Sequence, residues 1–469
     1  MPFTVSDLAR EIAQRLRAAG QRVYLVGGAV RDQALGRTPT DFDLATDALP
    51  TRVVQVLSNG WNGPRPVVED EAFGRVLVGD VDVLTLRREA EYHDRRRPSR
   101  VIFTKSIRAD LDRRDFTINA MAVNLADGAL IDPHGGMRDL KWGLLRSVGS
   151  AERRLGEDAL RVLRAVRLRA ELGFSYHPHL ASALASPSAA ECLRTLSEER
   201  VRDELSRTLL SVGVLQGLED LRRFGLVSTI LPECLPMVGC LQRNPMHRWD
   251  VWGHTLRVTQ AISPELRLRW AALLHDVGKP ATCAVGADGV THFYGHERLG
   301  EEMGRHILRR LRYPDALVRQ VAALVRHHMF HYGPETRIGS ARRLVLALGQ
   351  DGVRDLLELR RADRQASAWG FGVGPEGERL LAHLAAIGDE RFTLPDLQVD
   401  GYDVMRELGL SAGPMVGETL HAMHQLVLDG QLPNRREDLV NWLRRRMANA
   451  PEAPAEPADH SQPPQNSRR

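Results

Sequence analysis

The sequence predicts an α+β protein in which a mixed α/β head is followed by a long helical body. Four short runs of β-type residues precede residue 150, namely VYLVGG, DFDLAT, RVLVGDVDVLTLR and AVNLADGALIDP. From residue 151 onward, nearly every segment places its apolar residues at helical spacing. A chain of 469 residues is also long enough for several domains with separate buried cores.

Local patterns predict the individual elements, starting at the amino terminus. The opening segment, MPFTVSDLAREIAQRL, predicts an amphipathic helix rather than a signal peptide. RVLVGDVDVLTLR predicts one strand, and the Ala-Asp-Gly turn in AVNLADGALIDP predicts a hairpin. Helical periodicity predicts helices over residues 155–172, 198–210, 266–277 and 316–326. Turn signals at Leu231-Pro232 and Asn244-Pro245 predict a break before a second helical unit near His247.

Charge and cysteine content indicate the cellular compartment more clearly than the class of binding partner. Lys and Arg number 64 and Asp and Glu 60, so the net charge of +4 does not by itself indicate a polyanionic partner. The arginines cluster at 95–97, at 113–114 and at 161, 164 and 167, an arrangement that suits phosphate recognition. Four cysteines without C-x-x-C spacing, and no apolar run approaching membrane-span length, predict a cytoplasmic protein without a membrane association.

A glycine turn followed by two carboxylates is the clearest chemical signal in the chain. In YLVGGAVRDQALGRTPTDFDLAT, Gly27 and Gly28 let the backbone approach phosphates closely, and Arg31 can grip them. Asp41 and Asp43 alternate on the following strand and therefore project from one face. Paired carboxylates can hold Mg²⁺. A lone D-x-D would more often be a surface pair, but with the glycine turn and the arginine it predicts a nucleoside triphosphate site.

Three further segments add candidate residues to this site. The strand RVLVGDVDVLTLR offers Asp82 as a third carboxylate, with Asp80 on the same face by alternation. In DLDRRDFTINAMAVN, an arginine pair precedes an apolar run interpreted as helical, where it either clamps phosphates or caps the helix.

In GEDALRVLRAVRLRAELGF, Asp158, Arg161, Arg164 and Arg167 recur at steps of three on one predicted helix. The first two can share a pocket and the last can face elsewhere, because such a series winds around the helix axis. Asp158 and Arg161 could hydrogen-bond the Watson–Crick edge of cytosine or adenine, or could form an ordinary i,i+3 ion pair.

In this order, GGAVRD with DFDLAT, RRDFTINAMA, EDALRVLRAVR and SEERVRDEL resemble the motifs of class II tRNA nucleotidyltransferases and bacterial poly(A) polymerases. The resemblance implies a polymerase-β-like head with a mixed β-sheet, an all-α neck and body, and template-independent addition of CCA, from CTP and ATP, to tRNA 3′ ends. It implies Mg²⁺ at Asp41 and Asp43, with Asp82 matching a third acidic residue that is usually glutamate in the Bacillus-like branch. The nucleotide contacts that it implies are Gly28, Arg31, Arg114, Asp158, Arg161, Arg164 and Arg167.

A loop between the head's carboxylates and its arginine pair bears on the product. REAEYHDRRRPSRVIF resembles the flexible loop with which family members switch from CTP to ATP, through Tyr92, Asp94, Arg96 and Arg97. CC-adding enzymes characteristically lack this loop, whereas CCA-adding and A-adding enzymes share it, so those two activities stay open. Poly(A) polymerases usually carry lysine where this chain has Thr40, which favours tRNA as the substrate and leaves poly(A) synthesis as an alternative.

A second set of possible metal ligands lies in the helical body. Histidines and aspartates recur in WDVWGHTLRV, LLHDVGKP, HFYGHE, LVRHHM and LRRADRQA, and imidazoles with carboxylates suit a divalent transition metal. Their order resembles the HD phosphohydrolase domain over residues 247–365. The resemblance implies a 2′,3′-cyclic phosphodiesterase, phosphatase or nucleotidase with ligands His254, His275, Asp276 and Asp363, completed by His296 and His327.

These patterns predict five regions along the chain. They are a nucleotidyltransferase head (1–150), a helical neck and body (151–243), an HD domain (244–370), a carboxyl-terminal helical region (371–449) and a disordered tail (450–469). A functional alternative of another class makes the HD domain the working enzyme and the head a nucleotide-binding or RNA-binding module.

Overall fold

The computed structural model describes residues 3–92, 98–242, 248–287, 289–367, 370–388, 390 and 392–448, with residues 89–92, 98–100 and 448 described as backbone alone. The predicted disordered tail, 450–469, lies outside these residues. None of the helices within them is long and apolar enough to cross a membrane.

Seven strands within the described residues form the main sheet of the head, in the order β3-β4-β5-β2-β1-β8-β9. The β2–β5 pair is parallel and the other pairs are antiparallel, so the sheet is mixed, as predicted. Its strands are β1 (Val23–Val26), β2 (Phe42–Thr46), β3 (Pro66–Asp70), β4 (Arg75–Val78), β5 (Val81–Thr85), β8 (Ala122–Asn124) and β9 (Leu130–Ile131). The β6 (Arg87–Tyr92) and β7 (Pro98–Phe103) strands form a separate antiparallel hairpin.

The segment predicted as one strand, RVLVGDVDVLTLR, is instead a hairpin of two strands. Gly79 has φ +63°, a left-handed conformation that glycine adopts without steric cost, and there the chain reverses. Asp80 therefore lies in an exposed turn, and the prediction that it shares a face with Asp82 is wrong. The hairpin predicted in AVNLADGALIDP is confirmed by the pairing of β8 with β9.

Helices and short turns complete the head. The predicted amino-terminal helix is confirmed as α1 (Asp7–Ala18), and the next helices are α2 (Gly28–Ala34), α3 (Pro50–Ser58), α4 (Ile107–Asp112) and α5 (Gly136–Lys141). The run after the arginine pair is not the predicted helix. It forms a 3₁₀ turn (Thr117–Asn119) and then β8, because pairing with β1 and the bridge from Phe116 to Ser147 hold it extended.

Within the described residues the neck and body are mainly helical, and their β11 (Ser175–Tyr176) pairs in parallel with β10 (Leu144–Leu145). The helices are α6 (Ala151–Glu157), α7 (Leu160–Leu172), α8 (Pro178–Leu184), α9 (Pro187–Cys192), α10 (Glu198–Leu210), α11 (Val214–Arg223) and α12 (Val227–Ile230), with 3₁₀ turns at Leu193–Thr195 and Pro232–Met237. The helix predicted over 155–172 is broken at Asp158, whose backbone is extended (φ −141°, ψ 113°). The helix predicted over 198–210 is confirmed.

The α10 helix packs against different parts of the fold on two of its faces. Its Glu204 accepts a hydrogen bond from Arg167 of α7 at 2.5 Å. Two positions along, and so on roughly the opposite face, the Ser206 hydroxyl lies 2.6 Å from that of Tyr313. Tyr313 belongs to the loop between two helices of the next segment.

That next segment contains α13 (Val251–Ala261), α14 (Leu266–Leu274), β12 (Ala284–Val285), β13 (Thr291–His292), α15 (His296–Arg310), α16 (Asp315–His327) and α17 (Ile338–Ala366), with a 3₁₀ turn at Pro280–Thr282. The helix predicted over 316–326 is confirmed within α16. The helix predicted over 266–277 ends early, at Leu274, and a turn follows. Gly349 interrupts α17 with φ 73°.

The chain divides into two compact units. The first comprises residues 1–330 and 355–373, and the second comprises residues 331–354 and 374–469. The second unit contains α18 (Gly374–Ile387), a 3₁₀ turn (Leu394–Asp396), α19 (Gly401–Leu408), α20 (Pro414–Leu428) and α21 (Arg436–Ala448), whose core includes Val404, Met423 and Leu443. The domain boundaries given above stay predictions.

A buried carboxylate on α4 ties together several backbone and arginine groups of the head. Asp110 is 2% exposed and accepts from Arg113 Nη2 at 2.7 Å, from Arg114 Nη2 at 3.3 Å and from the Arg87 amide at 3.2 Å. Burial alone would raise the pKa of Asp110, but the charges of Arg113 and Arg114 and these hydrogen bonds lower it.

We expect Asp110→Asn to lower the free energy of unfolding at pH 7 by about 2 kcal/mol, because two arginines lose their buried partner. A depressed carboxyl pKa contributes stability above the ordinary aspartate range, so the deficit should shrink as the pH falls through that range. Urea unfolding at several pH values measures this. Asp80→Asn, in an exposed turn, is the matched control, and equal stability of the two variants at pH 7 would contradict the assignment.

Candidate active sites

A cavity of about 720 Å³ brings the head and the neck helix α7 together. It contains most of the nucleotide-site residues predicted from sequence. Those in its lining are Gly28, Arg31, Asp41, Asp43, Arg114, Asp158, Arg161, Arg164 and Arg167. We refer to it below as the head cavity. Asp82 is not among the described residues that line it, whereas Arg75 is.

The two carboxylates of the D-x-D motif lie where β2 begins. Asp43 is paired with Val26 of β1 on one side and with Asp82 of β5 on the other. Asp41 precedes the strand by one residue, and alternation places it on the face of Asp43. Gly27, at φ 73°, turns the chain beside them, and a Cβ there would lie 3.5 Å from Asp43 Oδ2 and 3.1 Å from Arg114 Nη1. Only glycine combines this conformation with so close an approach.

The electrostatics of this corner favour a bound cation. Burial raises the pKa of Asp43, and the nearby charges of Asp82 and Asp41 raise it further, while Arg114 partly opposes them. Carboxylate oxygens that repel one another at the edge of a cavity are suitable ligands for Mg²⁺. Asp41 and Asp43 therefore fit the magnesium site predicted for them.

The third predicted carboxylate is held by an arginine that the sequence did not single out. Asp82 accepts from Arg75 Nε at 2.8 Å and from Arg75 Nη2 at 3.0 Å, and Arg75 Nη1 lies 2.9 Å from Glu69. Recognising Arg75 as a partner would have required recognising the β4–β5 hairpin, which places both residues on adjacent antiparallel strands. A catalytic role for Asp82 stays a prediction.

An asparagine links the two arginines predicted to bind phosphates. Arg31 Nη1 donates to Asn119 Oδ1 at 2.8 Å, and Arg114 Nη1 donates to the Asn119 carbonyl at 3.3 Å. Arg31 also pairs with its neighbour Asp32 at 2.9 Å. Asn119 lies in the 3₁₀ turn that had been interpreted as helix, so the sequence offered no reason to choose it.

The i,i+3 ion pair that was the alternative for Asp158 and Arg161 is not among the contacts of the described residues, and both residues line the head cavity. Arg161 Nη1 instead lies 2.7 Å from Glu157, and Asp158 pairs with Arg200 of α10 at 3.2 Å. The reason is the extended backbone at Asp158, which removes it from the helix on which the i,i+3 spacing was based. Its side chain accepts from the Leu160 amide at 3.1 Å and so caps the start of α7.

The other two arginines of the series have carboxylate partners from different elements. Arg164 lies 2.9 Å from Asp115, and Arg167 lies 2.8 Å from Glu171 in addition to its bond with Glu204. Arg167 lines the same cavity as Arg164, so the winding of the helix, which left its direction open, does not turn it away from the other arginines.

Of the flexible-loop residues, Asp94, Arg96 and Arg97 lie outside the described residues. Tyr92 is described as backbone alone and pairs with Pro98 across the β6–β7 hairpin.

We expect Asp43→Asn to raise the melting temperature of the metal-free protein at pH 8 by about 2 °C. A partly buried carboxylate with a raised pKa is destabilising once ionised, so the gain should vanish at acidic pH, where the wild-type group is protonated. Thermal melting in EDTA at both pH values measures this, with Asp80→Asn as control. A lower melting temperature at pH 8 would contradict the like-charge interpretation.

The second candidate site gathers the histidines of α13 to α17. His275 and Asp276 follow α14, His254 lies in α13, His296 begins α15, and His328 caps α16; we call these five residues the histidine cluster. All five are buried. Two groups of possible ligand atoms, each within 4.8 Å of one another, share one carboxylate: His254, His275 and Asp276, and Asp276, His296 and His328.

One local geometry orients three of these rings. The Nδ1 atoms of His275, His296 and His328 donate to the carbonyl three residues earlier, at 2.8, 2.6 and 2.7 Å. Because a carbonyl only accepts, this leaves each Nε2 as the atom available to a ligand. The Nε2 atoms of His275, His296 and His328 lie 3.2, 3.5 and 3.8 Å from the Asp276 carboxylate.

The structure corrects one ligand and adds a cation. His328, not the predicted His327, enters the cluster, because neighbouring positions at a helix end are rotated by about 100° and His327 faces away. Predicted ligand Asp363 lies 2.9 Å from His254 Nε2. Lys279 Nζ lies 2.7 Å from Asp276 Oδ2, and the sequence analysis did not identify it.

The protonation states of Asp276, His296 and His328 match those that metal ligands need. Burial would raise the pKa of Asp276, but His275 and Lys279 hold it well below its usual range. Burial lowers the pKa of His296, and it lowers that of His328 to about 3. Burial would also lower the pKa of His275, but the charges of Asp276 and Asp363 raise it. The neutral imidazoles of His296 and His328 beside the ionised Asp276 are donors suited to a divalent transition metal.

Gly278 allows the close packing that builds this cluster, since a Cβ there would lie 2.4 Å from the His296 carbonyl. We expect Gly278→Ala to displace His296, to reduce bound metal and to cost about 2 kcal/mol of stability. Gly304→Ala is the matched control, because its Cβ would meet only Leu274 Cδ1, at 3.7 Å. Elemental analysis and urea unfolding measure the effects, and full metal content in Gly278→Ala would refute the packing argument.

Comparison with family models matches three consecutive parts of the chain. Residues 23–146 match the poly A polymerase head domain, residues 173–237 match the probable RNA and SrmB-binding site of polymerase A, and residues 251–365 match the HD domain. The first match covers the D-x-D motif and the arginine pair, and the last covers the histidine cluster.

Three similar proteins cover nearly the whole chain. The A-adding tRNA nucleotidyltransferase of Deinococcus radiodurans is 36% identical over 88% of this chain and 93% of its own length. The CC-adding tRNA nucleotidyltransferase of Thermus thermophilus is 35% identical over 92% and 96%. The crystal structure of the Bacillus stearothermophilus CCA-adding enzyme in complex with CTP is 30% identical over 93% and 96%, with a TM-score of 0.71.

Proposed function

The chain belongs to the family of class II tRNA nucleotidyltransferases and bacterial poly(A) polymerases, and from this membership we propose that it adds CCA to tRNA 3′ ends, using CTP and ATP. The observation that carries the proposal is the pair of carboxylates, Asp41 and Asp43, at the edge of a cavity lined by arginines. Nucleotide addition to tRNA 3′ ends is the reaction class of its relatives.

In the proposed reaction, the terminal hydroxyl of the tRNA attacks the α-phosphate of the nucleotide, and the bond to pyrophosphate breaks. Asp41 and Asp43 would hold Mg²⁺, which stabilises the charge that develops on the phosphates. Arg31 and Arg114, fixed in place by Asn119, bind the triphosphate. Their donors lie beside the carboxylates, where the β- and γ-phosphates of a metal-bound nucleotide would be.

Asp158 and Arg161 are the proposed readers of the base. Each is held by a partner of its own, Arg200 for Asp158 and Glu157 for Arg161, so acceptors and donors stand at a fixed separation in one cavity. A fixed acceptor and donor set can substitute for a template base when it faces the Watson–Crick edge of cytosine or adenine.

Addition of a single A is the second candidate for the head. The Deinococcus radiodurans relative, named as an A-adding enzyme, supports it. The loop pattern shared by CCA-adding and A-adding enzymes is compatible with both. That pattern disfavours CC addition, and Thr40 disfavours poly(A) synthesis.

For the histidine cluster we propose metal-dependent hydrolysis of phosphoesters, with a 2′,3′-cyclic phosphate or a terminal phosphate as substrate. A divalent transition metal would be held by His254, His275, Asp276 and Asp363, with His296 and His328 completing the site. The ion would supply Lewis acidity toward the phosphoester. Burial of the cluster keeps these side chains oriented and limits the water that reaches them.

The head proposal is tested with tRNA that lacks CCA, tRNA that ends in CC, and labelled CTP and ATP. We expect both substrates to be completed to CCA. Extension only of the CC-ending tRNA would establish A addition instead, and products longer than CCA would establish poly(A) synthesis.

Separate variants distinguish the two sites. Asp41→Ala and Asp43→Ala should reduce incorporation at least about 1000-fold, since they remove the metal ligands. His275→Ala should leave incorporation intact and abolish hydrolysis of a nucleoside 2′,3′-cyclic phosphate. Asp80→Ala is the control for the head. Undiminished incorporation in the Asp43 variant would favour the alternative in which the head only binds nucleotide or RNA.

A further inference from the structure

The arginines around the head cavity differ in what they hold. Arg164 and Arg167 pair with Asp115 and Glu171, which serve no predicted chemistry. Arg75 is different, because its partner is Asp82, the carboxylate that the family resemblance makes a third acidic group of the reaction. An arginine that occupies a group needed for catalysis calls for a functional explanation.

The pairing uses both oxygens of Asp82. Arg75 Nε and Nη2 contact Oδ1 and Oδ2 at 2.8 and 3.0 Å, in the two-point arrangement that suits guanidinium and carboxylate. The third nitrogen, Nη1, reaches Glu69 at 2.9 Å. Arg75 thus neutralises Asp82 and occupies the oxygens that a metal ion or a hydroxyl proton would use.

The exposed fractions of the two side chains indicate that Arg75, rather than Asp82, could leave this ion pair. The Arg75 side chain is 44% exposed and lines the head cavity, whereas the Asp82 side chain is 25% exposed and lies opposite Asp43 on the next strand. A half-exposed ion pair is weak, so the guanidinium can exchange its partner at little cost. A phosphodiester offers the same two-point acceptor geometry as a carboxylate.

We propose that Arg75 is a positioning residue that exchanges Asp82 for a phosphodiester at the 3′ end of the RNA, so that the third carboxylate is released only when RNA is bound. The inference rests on the proposed nucleotidyltransferase function. It predicts that Arg75 lowers the KM for RNA and, without RNA, weakens the binding of Mg²⁺ beside Asp82.

Arg75→Gln tests both effects. The KM for tRNA should rise about tenfold while the KM for CTP changes less than about twofold, since the lost contact is to RNA. The Kd for a tRNA ending in 3′-deoxycytidine, measured by fluorescence anisotropy without nucleotide, should rise by a similar factor. The Mg²⁺ concentration that half-saturates binding of a fluorescent CTP analogue, without RNA, should fall several-fold as Asp82 is released.

Arg75→Lys separates the two roles, because lysine keeps the charge but cannot contact both oxygens of Asp82 in this manner. RNA affinity should lie between those of wild type and Arg75→Gln, because the charge still attracts the phosphodiester but the two-point contact is lost, while the Mg²⁺ dependence should resemble that of Arg75→Gln. Arg52→Gln, an exposed arginine on α3, is the matched control. Thermal melting verifies that each variant is folded.

Three results would overturn the proposal. A raised KM for CTP with an unchanged KM for tRNA would place Arg75 on the triphosphate. Unchanged KM values for both substrates would mean that Arg75 only stabilises the β4–β5 hairpin. Equal effects of the lysine and glutamine variants on RNA affinity would lead to the same conclusion. If wild type incorporates nucleotide and Asp43→Ala does not, the proposed nucleotidyltransferase function stands. Any of the three results above would then refute only the role proposed for Arg75.

Discussion

The parallel pairing of β2 with β5 is the constraint on which the head cavity depends. It places Asp43 beside Asp82 on the neighbouring strand, so two carboxylates project from the same face of the sheet. Like charges at this spacing need cations around them. The chain supplies Arg114 beside the glycine turn and Arg75 across the hairpin, and the remaining acidity suits the Mg²⁺ proposed for Asp41 and Asp43.

Sequence patterns predicted the head well where chemistry and periodicity coincide. The glycine turn and the D-x-D strand were predicted because alternation and turn residues are local signals, whereas the mixed sheet followed from the family resemblance. Two features were missed because the pattern continues through them. The alternation of apolar residues continues across Gly79, so it does not reveal the chain reversal between β4 and β5. Helical spacing likewise continues across Asp158, but that residue pairs with Arg200 and caps α7, and the helix is broken there.

The same limit applies to the histidine cluster. The order of histidines and aspartates indicated a metal site. Four of the six predicted ligands, His254, His275, Asp276 and His296, lie in the two groups of possible ligand atoms, and Asp363 contacts His254. The choice between His327 and His328 depends on where α16 ends, which composition does not determine. Lys279 was missed because a lysine after a turn carries no local sign of burial, and only the fold brings its ammonium group to Asp276.

Helix α10 contacts two different parts of the first unit. Its Glu204 contacts Arg167, which lines the head cavity, and its Ser206 contacts Tyr313 in the segment from α13 to α17. A helix of 13 residues is stiff over that length. Because α10 makes both contacts, a substitution that shifts this helix would alter the surroundings of Arg167 and of Tyr313 together.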